Sequence, residues 1–208
     1  AAVHVEGIRS ISATDIAYAE ELGYRIKLLG IAERQDGGIS QRVHPCMVPA
    51  GAPLAHVDGV FNAVEVQGDF VGRLTLEGRG AGAEPTASAV AADIVDIARG
   101  LRVPTFGLPA AELAPSDTRP MDRHVGCYYL RLMVVDRPGV IADVAAALRD
   151  QDISLEAMIQ RGRDPGEAVP VVLTTHETSE AQMRRALSRI AELETCLEPP
   201  QVIRIEAL

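Results

Sequence analysis

Strand-like alternation of apolar and polar residues dominates the first hundred positions of the chain. In AVEVQG (63–68) and RLTLEG (73–78) apolar residues recur at every second position, which is typical of a sheet with one covered face. Gly68-Asp69 predicts the turn between these two runs. A second pair of strand-like runs, within YRIKLLGIAERQDGGISQRVHPCMVP (24–49), is split by Asp36-Gly37-Gly38, which is a strong hairpin signal.

A helix is predicted ahead of the first hairpin. Ser12-Ala-Thr-Asp15 has the pattern of a capping box, and Gly23 suits the position just after a helix C-terminus. A second, amphipathic helix follows the second hairpin. Residues 1–100 are therefore predicted to form one α+β unit of four strands and two helices, with a partial mixed or antiparallel sheet.

The last eighty residues alternate between strand-like and helix-like spacing. Strand-like runs are CYYLRLMVV, ISLEAMIQ, AVPVVLTTH and PQVIRIEAL, with a turn at Asp164-Pro165-Gly166. Helical spacing relates Val140, Val144, Ala147 and Leu148 in the first helix, and Met183, Leu187 and Ile190 in the second. The order βαββαβ predicts a ferredoxin-like domain over 127–208. Residues 101–126 are rich in proline and polar residues without a sustained period, which predicts a linker.

Composition narrows the classes of partner. The 208 residues carry a formal net charge of −9 and only 3% aromatic residues, which argues against nucleic-acid binding. No apolar run approaches the roughly 18 residues needed to cross a bilayer, and AAVHVEGIRS has no signal-peptide pattern. Three cysteines leave one unpaired thiol, which favours a reducing cytoplasm.

The stretch LEGRGAGAEPTASAVAADIVDIAR contains Gly78-x-Gly80-x-x-Ala83, which matches a dinucleotide-binding fingerprint. Such a loop needs a buried parallel strand before it, a helix starting at its second or third glycine, and an acidic residue about 20 positions later. Here the preceding strand alternates, Pro85 suits the first turn of a helix that begins later, and GLRVPTFGLP supplies no acidic strand end. We therefore interpret these glycines as sites of tight turning or close approach.

Asp136-Arg-Pro-Gly-Val140 joins a predicted strand to a predicted helix. Pro138 favours a helix start, and the free N–H groups of the first turn can hold an anion such as a carboxylate. Gln160, on the neighbouring strand, or a backbone carbonyl can accept from an ammonium group. The residues alone leave two interpretations open: an amino-acid site, or a turn with a helix cap.

Other candidates are weaker. His44 and Cys46 share one face of a strand, but no further ligand follows at zinc-like spacing, so we expect a buried or edge pair and no metal. Asp93 and Asp96 lie opposite the apolar face of their helix, where solvated charge is expected. No acid/base pair or Ser/His/Asp grouping is apparent, so we predict no catalytic residue in this chain.

Read together, several long stretches of residues 1–100 closely resemble homoserine dehydrogenase. They are ISATDIAYAEELGYRIKLLGIAER, RVHPCMVP, PLAHVDGVFNAVEVQGDFVG and GRGAGAEPTASAVAADIVDIAR. DRPGVIADVAAAL and ISLEAMIQ resemble the ACT domain, an amino-acid-sensing module. The resemblance implies a C-terminal fragment: the rear of the substrate and dimerisation domain, a linker, and an ACT regulatory domain.

For the first part, the resemblance implies an NAD- or NADP-dependent enzyme that interconverts homoserine and aspartate semialdehyde. The nucleotide domain and the catalytic lysine and aspartate of the family lie upstream of VEGIRSIS, so the chain alone is expected to be inactive. Lys27 belongs to a strand of the dimerisation sheet. By the same resemblance, Gly80, Ala81, Gly82 and Thr86 line the active cleft near the nicotinamide.

For the second part, the resemblance implies a homo-oligomer that binds an amino acid, with threonine as the expected effector. The residues that match the ACT site are Asp136, Pro138, Gly139, Val140, Ile141, Met158 and Gln160. Two alternatives remain open: a free-standing amino-acid-binding protein without catalysis, and a module that only makes oligomer contacts.

Overall fold

The computed structural model describes residues 3–35, 38–104, 106–161 and 166–207. In chain order the strands are β1 His4–Val5, β2 Tyr24–Gln35, β3 Gly38–Pro49, β4 Phe61–Gly68, β5 Gly72–Arg79, β6 Asp117–Thr118, β7 Val125–Val135, β8 Leu155–Gln160, β9 Ala168–Thr175, β10 Thr178–Ser179 and β11 Gln201–Ile205. The α-helices are α1 Ala13–Glu21, α2 Ala83–Ala98, α3 Val140–Arg149 and α4 Glu180–Ala191. No helix in these ranges is both long enough and apolar enough to cross a membrane.

The chain divides into two compact units whose limits differ from the three predicted segments. One unit combines Ala1–Ala50 with Asp117–Leu208, and the other is Gly51–Ser116. The difference arises because β3 pairs with β11 in parallel, so the first fifty residues share a sheet with the end of the chain. The predicted linker 101–126 contributes to both units, since β6 pairs with β3.

The first unit is built on a mixed sheet with the strand order β1-β3-β11-β7-β9-β8. β2 pairs antiparallel with β3 along its full length, and Asp36 and Gly37 of the predicted hairpin turn lie outside the described residues. The order β11-β7-β9-β8, with α3 after β7 and α4 after β9, is the split βαβ arrangement. The predicted ferredoxin-like fold is thus confirmed. Asp164 and Pro165, predicted as a turn, also lie outside the described residues.

Both faces of this sheet are covered. On one face α3 and α4 pack against the strands through a core that includes the predicted Val140, Val144, Met183 and Ile190. On the other face Tyr18 and Ala19 of α1 form a smaller core with sheet residues. The central strands are therefore buried on both sides, and polar residues on them must find partners within the protein.

Helix α1 begins as predicted. Ser12 and Asp15 form a reciprocal capping box, and Gly23, with φ +81°, follows the C-cap. Asp15 also has a tertiary role that the sequence did not indicate, because it is fully buried and accepts hydrogen bonds from Tyr129 Oη at 3.1 Å and Arg131 Nε at 2.7 Å. The cap therefore anchors α1 to β7.

The second unit contains β4, β5 and α2. Among the described residues β4 and β5 pair only with each other, as an antiparallel two-stranded sheet, whereas the sequence predicted that they share one α+β unit with β2 and β3. The physical reason is that β2 and β3 find partners in the other sheet. No residue of α2 is buried, and Ile94 and Ile97 on its apolar side are 60% and 75% exposed.

Candidate functional site

The turn between β7 and α3 has the backbone shape that an anion site at a helix start requires. Gly139 precedes α3 with φ +98°, a conformation that favours glycine, and no side chain of the described residues caps the helix. The N–H groups of the first turn of α3 therefore point away from the helix without a capping oxygen. Pro138 and Gly139 are exposed, whereas Val140 is buried in the core, so the turn is anchored on one side and open on the other.

The turn is held by backbone hydrogen bonds to the segment that leads into β9. Asp136 N–H donates to the carbonyl of Glu167 at 2.9 Å, and Gly166 N–H donates to the carbonyl of Asp136 at 3.0 Å. These bonds fix the start of the turn through backbone groups alone.

Strand β8 supplies the opposite side of the candidate site. Gln160 Nε2 lies 3.5 Å from Asp136 Oδ1, which brings together the two segments that the sequence proposed. Met158 and Gln160 pair in register with Leu173 and Val171, so they share the sheet face on which α3 packs. Met158 is 49% exposed there. Ile141, in the first turn of α3, is half-buried against the same core.

The arrangement offers complementary groups for a small zwitterion. Uncapped N–H groups at a helix start favour a carboxylate, and a neighbouring aspartate favours an ammonium group. The half-exposed apolar side chains beside them suit a short aliphatic substituent. This chemistry matches a free amino acid.

The glycine-rich loop after β5 is placed differently from a dinucleotide loop. β5 pairs antiparallel with β4, so the strand before the loop is not the buried parallel strand that the fingerprint requires. Gly80 N–H donates to the carbonyl of Val60 at 2.9 Å, and a Cβ on Gly80 would lie 1.7 Å from Asn62 Nδ2. A side chain at this position would therefore displace the exposed amide end of Asn62.

One expectation about this loop is wrong. Helix α2 begins at Ala83, the third fingerprint position, with Gly82 at φ +123° as its N-cap. Pro85 lies in the first turn as predicted, but it is the third helical residue rather than the first, since proline is tolerated throughout a first turn. Thr86 N–H donates to the carbonyl of Gly82 at 3.2 Å, and Ala81 and Thr86 are exposed.

A buried polar network, which the sequence did not indicate, lies in the first unit. The guanidinium of Arg204, on β11, donates to both carboxylate oxygens of Glu180 at 2.6 and 2.9 Å and to both oxygens of Glu6 at 2.8 and 2.9 Å. Tyr128 Oη donates to Glu180 at 2.9 Å. Burial by itself raises the pKa of Glu6, but the hydrogen bonds and charge of Arg204 outweigh it and lower that pKa from 4.5 to about 2.

A second set of polar side chains lies on β3 beside this network. Arg42, 1% exposed, binds Glu33 at 2.9 Å and Glu206 at 3.2 Å. His44 and Cys46 are fully buried, as the sequence suggested. Burial, reinforced by the charges of Arg204 and Arg42, lowers the pKa of His44 from 6.5 to about 4, and burial raises the pKa of the Cys46 thiol from 9.0 to about 12.

Comparison with known proteins gives the family. The homoserine dehydrogenase family model matches residues 1–95, and the ACT domain model matches residues 128–195. The homoserine dehydrogenase of Neisseria gonorrhoeae is 44% identical over 213 residues, covering 100% of this chain and 49% of that protein. The homoserine dehydrogenase of Pseudomonas aeruginosa is 39% identical over 212 residues, covering 99% of this chain and 49% of its own length.

A solved structure gives the same result. The homoserine dehydrogenase of Thiobacillus denitrificans superposes with a TM-score of 0.85 at 44% identity, covering 97% of this chain and 47% of that chain. The chain thus spans about half the length of the relatives it matches. It belongs to the homoserine dehydrogenase family, and its last part is an ACT domain.

Proposed function

We propose that this chain is the C-terminal dimerisation and amino-acid-sensing portion of an NAD(P)-dependent homoserine dehydrogenase. The complete enzyme would interconvert homoserine and aspartate semialdehyde by hydride transfer in the cytoplasm, within threonine and methionine biosynthesis. The match of residues 1–95 to the homoserine dehydrogenase model supports the reaction. The approach of Gln160 to Asp136, beside the uncapped start of α3, is the observation that carries the sensing role.

The proposed effector is threonine, held by its two charged ends. Its carboxylate would accept from the N–H groups of Val140 and Ile141, and its ammonium would lie between the Asp136 carboxylate and the Gln160 carbonyl oxygen. Its methyl group would rest on Met158. A buried hydroxyl without a partner costs about 1–3 kcal/mol, so threonine would be preferred over valine only if its hydroxyl finds a polar partner in the same site.

Calorimetric titration with L-threonine, with L-serine and L-valine for comparison, tests the sensing role. We expect saturable heat with threonine and its loss in Gln160→Ala, because the substitution removes one side of the site. Gln67→Ala, at an exposed position on β4, is the matched control and should bind as the unaltered chain does. Absence of heat and of any thermal shift with all three amino acids would refute the sensing role and leave the module with oligomer contacts alone.

A second prediction concerns catalysis. Gly80, Ala81, Gly82 and Thr86 are proposed to line the cleft near the nicotinamide, while the residues that move the proton lie outside this chain. We therefore expect no homoserine-dependent formation of NADH or NADPH by the chain alone, followed by absorbance at saturating homoserine. Turnover above the enzyme-free rate would contradict the assignment of the catalytic groups to another part of the enzyme.

Two exposed features support the proposal that the chain assembles into a homo-oligomer. β8 is the last strand in the order of its sheet, and no described strand pairs with its outer edge. Helix α2 exposes Val90 and Ile94. Light scattering of the chain is expected to give a dimer or a larger closed assembly. A monomer at micromolar concentration would contradict the dimerisation role.

A further inference from the structure

Three side chains with metal-binding atoms meet in the first unit, and the function proposed above uses none of them. His44 and Cys46 lie on β3, and Glu206 follows β11. One ring nitrogen of His44, the Sγ of Cys46 and a carboxylate oxygen of Glu206 all lie within 4.8 Å of one another. The parallel pairing of β11 with β3 causes this meeting, since Arg204 pairs with Cys46 and Glu206 N–H donates to the carbonyl of Met47 at 2.9 Å.

The imidazole of His44 has the environment of a metal-binding ring. Nδ1 lies 3.1 Å from the carbonyl oxygen of Pro45 and 3.2 Å from the Sγ of Cys46, and a neutral ring that donates to the Pro45 carbonyl keeps the lone pair on Nε2. Nε2 is buried and has no hydrogen-bond partner among the described residues. Histidines that bind metals commonly donate their other ring N–H to a carbonyl, which fixes the tautomer and the ring orientation. A ligand for Nε2 would remove the cost of an unsatisfied buried nitrogen.

Carboxylates outnumber guanidiniums around the three side chains. Each of the two buried guanidiniums beside them is already shared by two carboxylates, so negative charge exceeds positive charge in this group. The ion pairs are those of Arg42 with Glu33 and Glu206, and of Arg204 with Glu6 and Glu180. Arg184, whose side chain is 48% exposed, adds one solvated positive charge at Glu180. With the thiolate that Cys46 forms on binding, these groups carry two more negative than positive charges, which a divalent ion would balance.

We propose that His44, Cys46 and Glu206 bind a zinc ion. Imidazole nitrogen, thiolate sulfur and carboxylate oxygen are the three donor types that Zn²⁺ takes in proteins, whereas the sulfur disfavours magnesium and calcium. Cys46 loses its proton to solvent when its sulfur binds the ion. Glu206 keeps its contact with Arg42, since a carboxylate offers two oxygens and about four lone-pair directions. A water molecule completes the four-coordinate shell.

The ion would link Glu206, after β11, to His44 and Cys46 on β3. Its route of entry is the side of Glu206, whose side chain is 12% exposed, while His44 and Cys46 are closed to solvent. Zinc should therefore raise the midpoint of thermal unfolding, and EDTA should reverse that rise, because the ion binds only the folded arrangement.

Cobalt substitution provides the test, because Co²⁺ bound to a thiolate absorbs through sulfur-to-metal charge transfer. The chain has three cysteines, and in Cys127→Ser/Cys196→Ser only Cys46 remains. We expect this double variant to develop the charge-transfer band at one equivalent of Co²⁺ and to lose it on addition of Zn²⁺. Absence of the band in this folded variant would overturn the proposal.

Two further variants identify the remaining ligands. Glu206→Gln keeps the shape of the side chain but removes its charge, and it should weaken competition by the chain against a chromophoric zinc chelator. Glu192→Gln, at an exposed position after α4, is the control and should leave zinc uptake unchanged. Circular dichroism of each metal-free variant verifies folding. Equal zinc affinity for Glu206→Gln and the unaltered chain would refute the site as described.

Discussion

Replacing Arg204 with methionine is expected to lower the free energy of unfolding by about 3–5 kcal/mol, the usual cost of removing one partner from a buried ion pair. The guanidinium is 2% exposed and donates four hydrogen bonds to Glu6 and Glu180. Without it, the Glu180 carboxylate, whose side chain is 5% exposed, stays in the protein interior with Tyr128 as its remaining buried partner. Urea-induced unfolding followed by circular dichroism measures the loss.

Arg184→Met is the matched control for this prediction. Arg184 also contacts Glu180, at 3.3 Å, but its side chain is 48% exposed, so its loss should cost about 0–1 kcal/mol. Adding Glu180→Gln to Arg204→Met should recover part of the lost stability, because it removes the uncompensated charge. Equal costs for the two arginine variants would show that the Arg204 network contributes no more than a surface pair.

The sequence predicted those helix ends and helix faces that depend on residues close together along the chain. The capping box of α1 lies within four residues, and Gly23 and Gly139 take the positive φ that a helix boundary requires. The buried residues of α3 and α4 could be predicted from helical spacing, because each helix is covered on one face only and its apolar residues therefore recur every three or four positions. The candidate site at the β7–α3 turn was proposed from the sequence for the same reason, since five of its residues lie between Asp136 and Ile141.

The sequence could not indicate the pairing of β3 with β11, because the two strands are far apart along the chain and each is compatible with several partners. Because of this pairing, the alternation of apolar and polar residues no longer tells which side chains are exposed. Arg42 and Arg204 occupy positions that a sheet with one covered face would expose, yet they are 1% and 2% exposed because helices cover both faces. Glu206 joins His44 and Cys46 through the same pairing, so a search for ligands at short spacing missed it.

The exposed apolar residues of α2 show a second limit of prediction from the sequence. Helical spacing identified Val90, Ile94 and Ile97 as one face, but spacing cannot tell which partner covers that face. In the second unit all three are more than half exposed.

Lowering the pH from about 7 to about 4 is expected to destabilise the protein, through His44 and His124. Burial first, and then the charges of Arg42 and Arg204, lower both pKa values from 6.5 to about 4. Since these folded-state values lie below the value in the unfolded chain, the unfolded chain takes up the protons first. The stabilisation is therefore complete above pH 6.5 and is lost as the pH falls towards 4. For the fully buried His44 the loss amounts to about 3 kcal/mol.

The free energy of unfolding, measured in urea across this range and in EDTA to exclude metal ions, tests the assignment. His44→Gln cannot take up a proton, so its stability should depend less steeply on pH than that of the unaltered chain. His176→Gln, at an exposed position, controls for the loss of a histidine and should leave the slope unchanged. Below the histidine range, stability should continue to fall from pH 4.5 towards 2, because Glu6 holds its charge only while folded against Arg204. A His44→Gln profile parallel to that of the unaltered chain would mean that the buried imidazole is not the group that titrates.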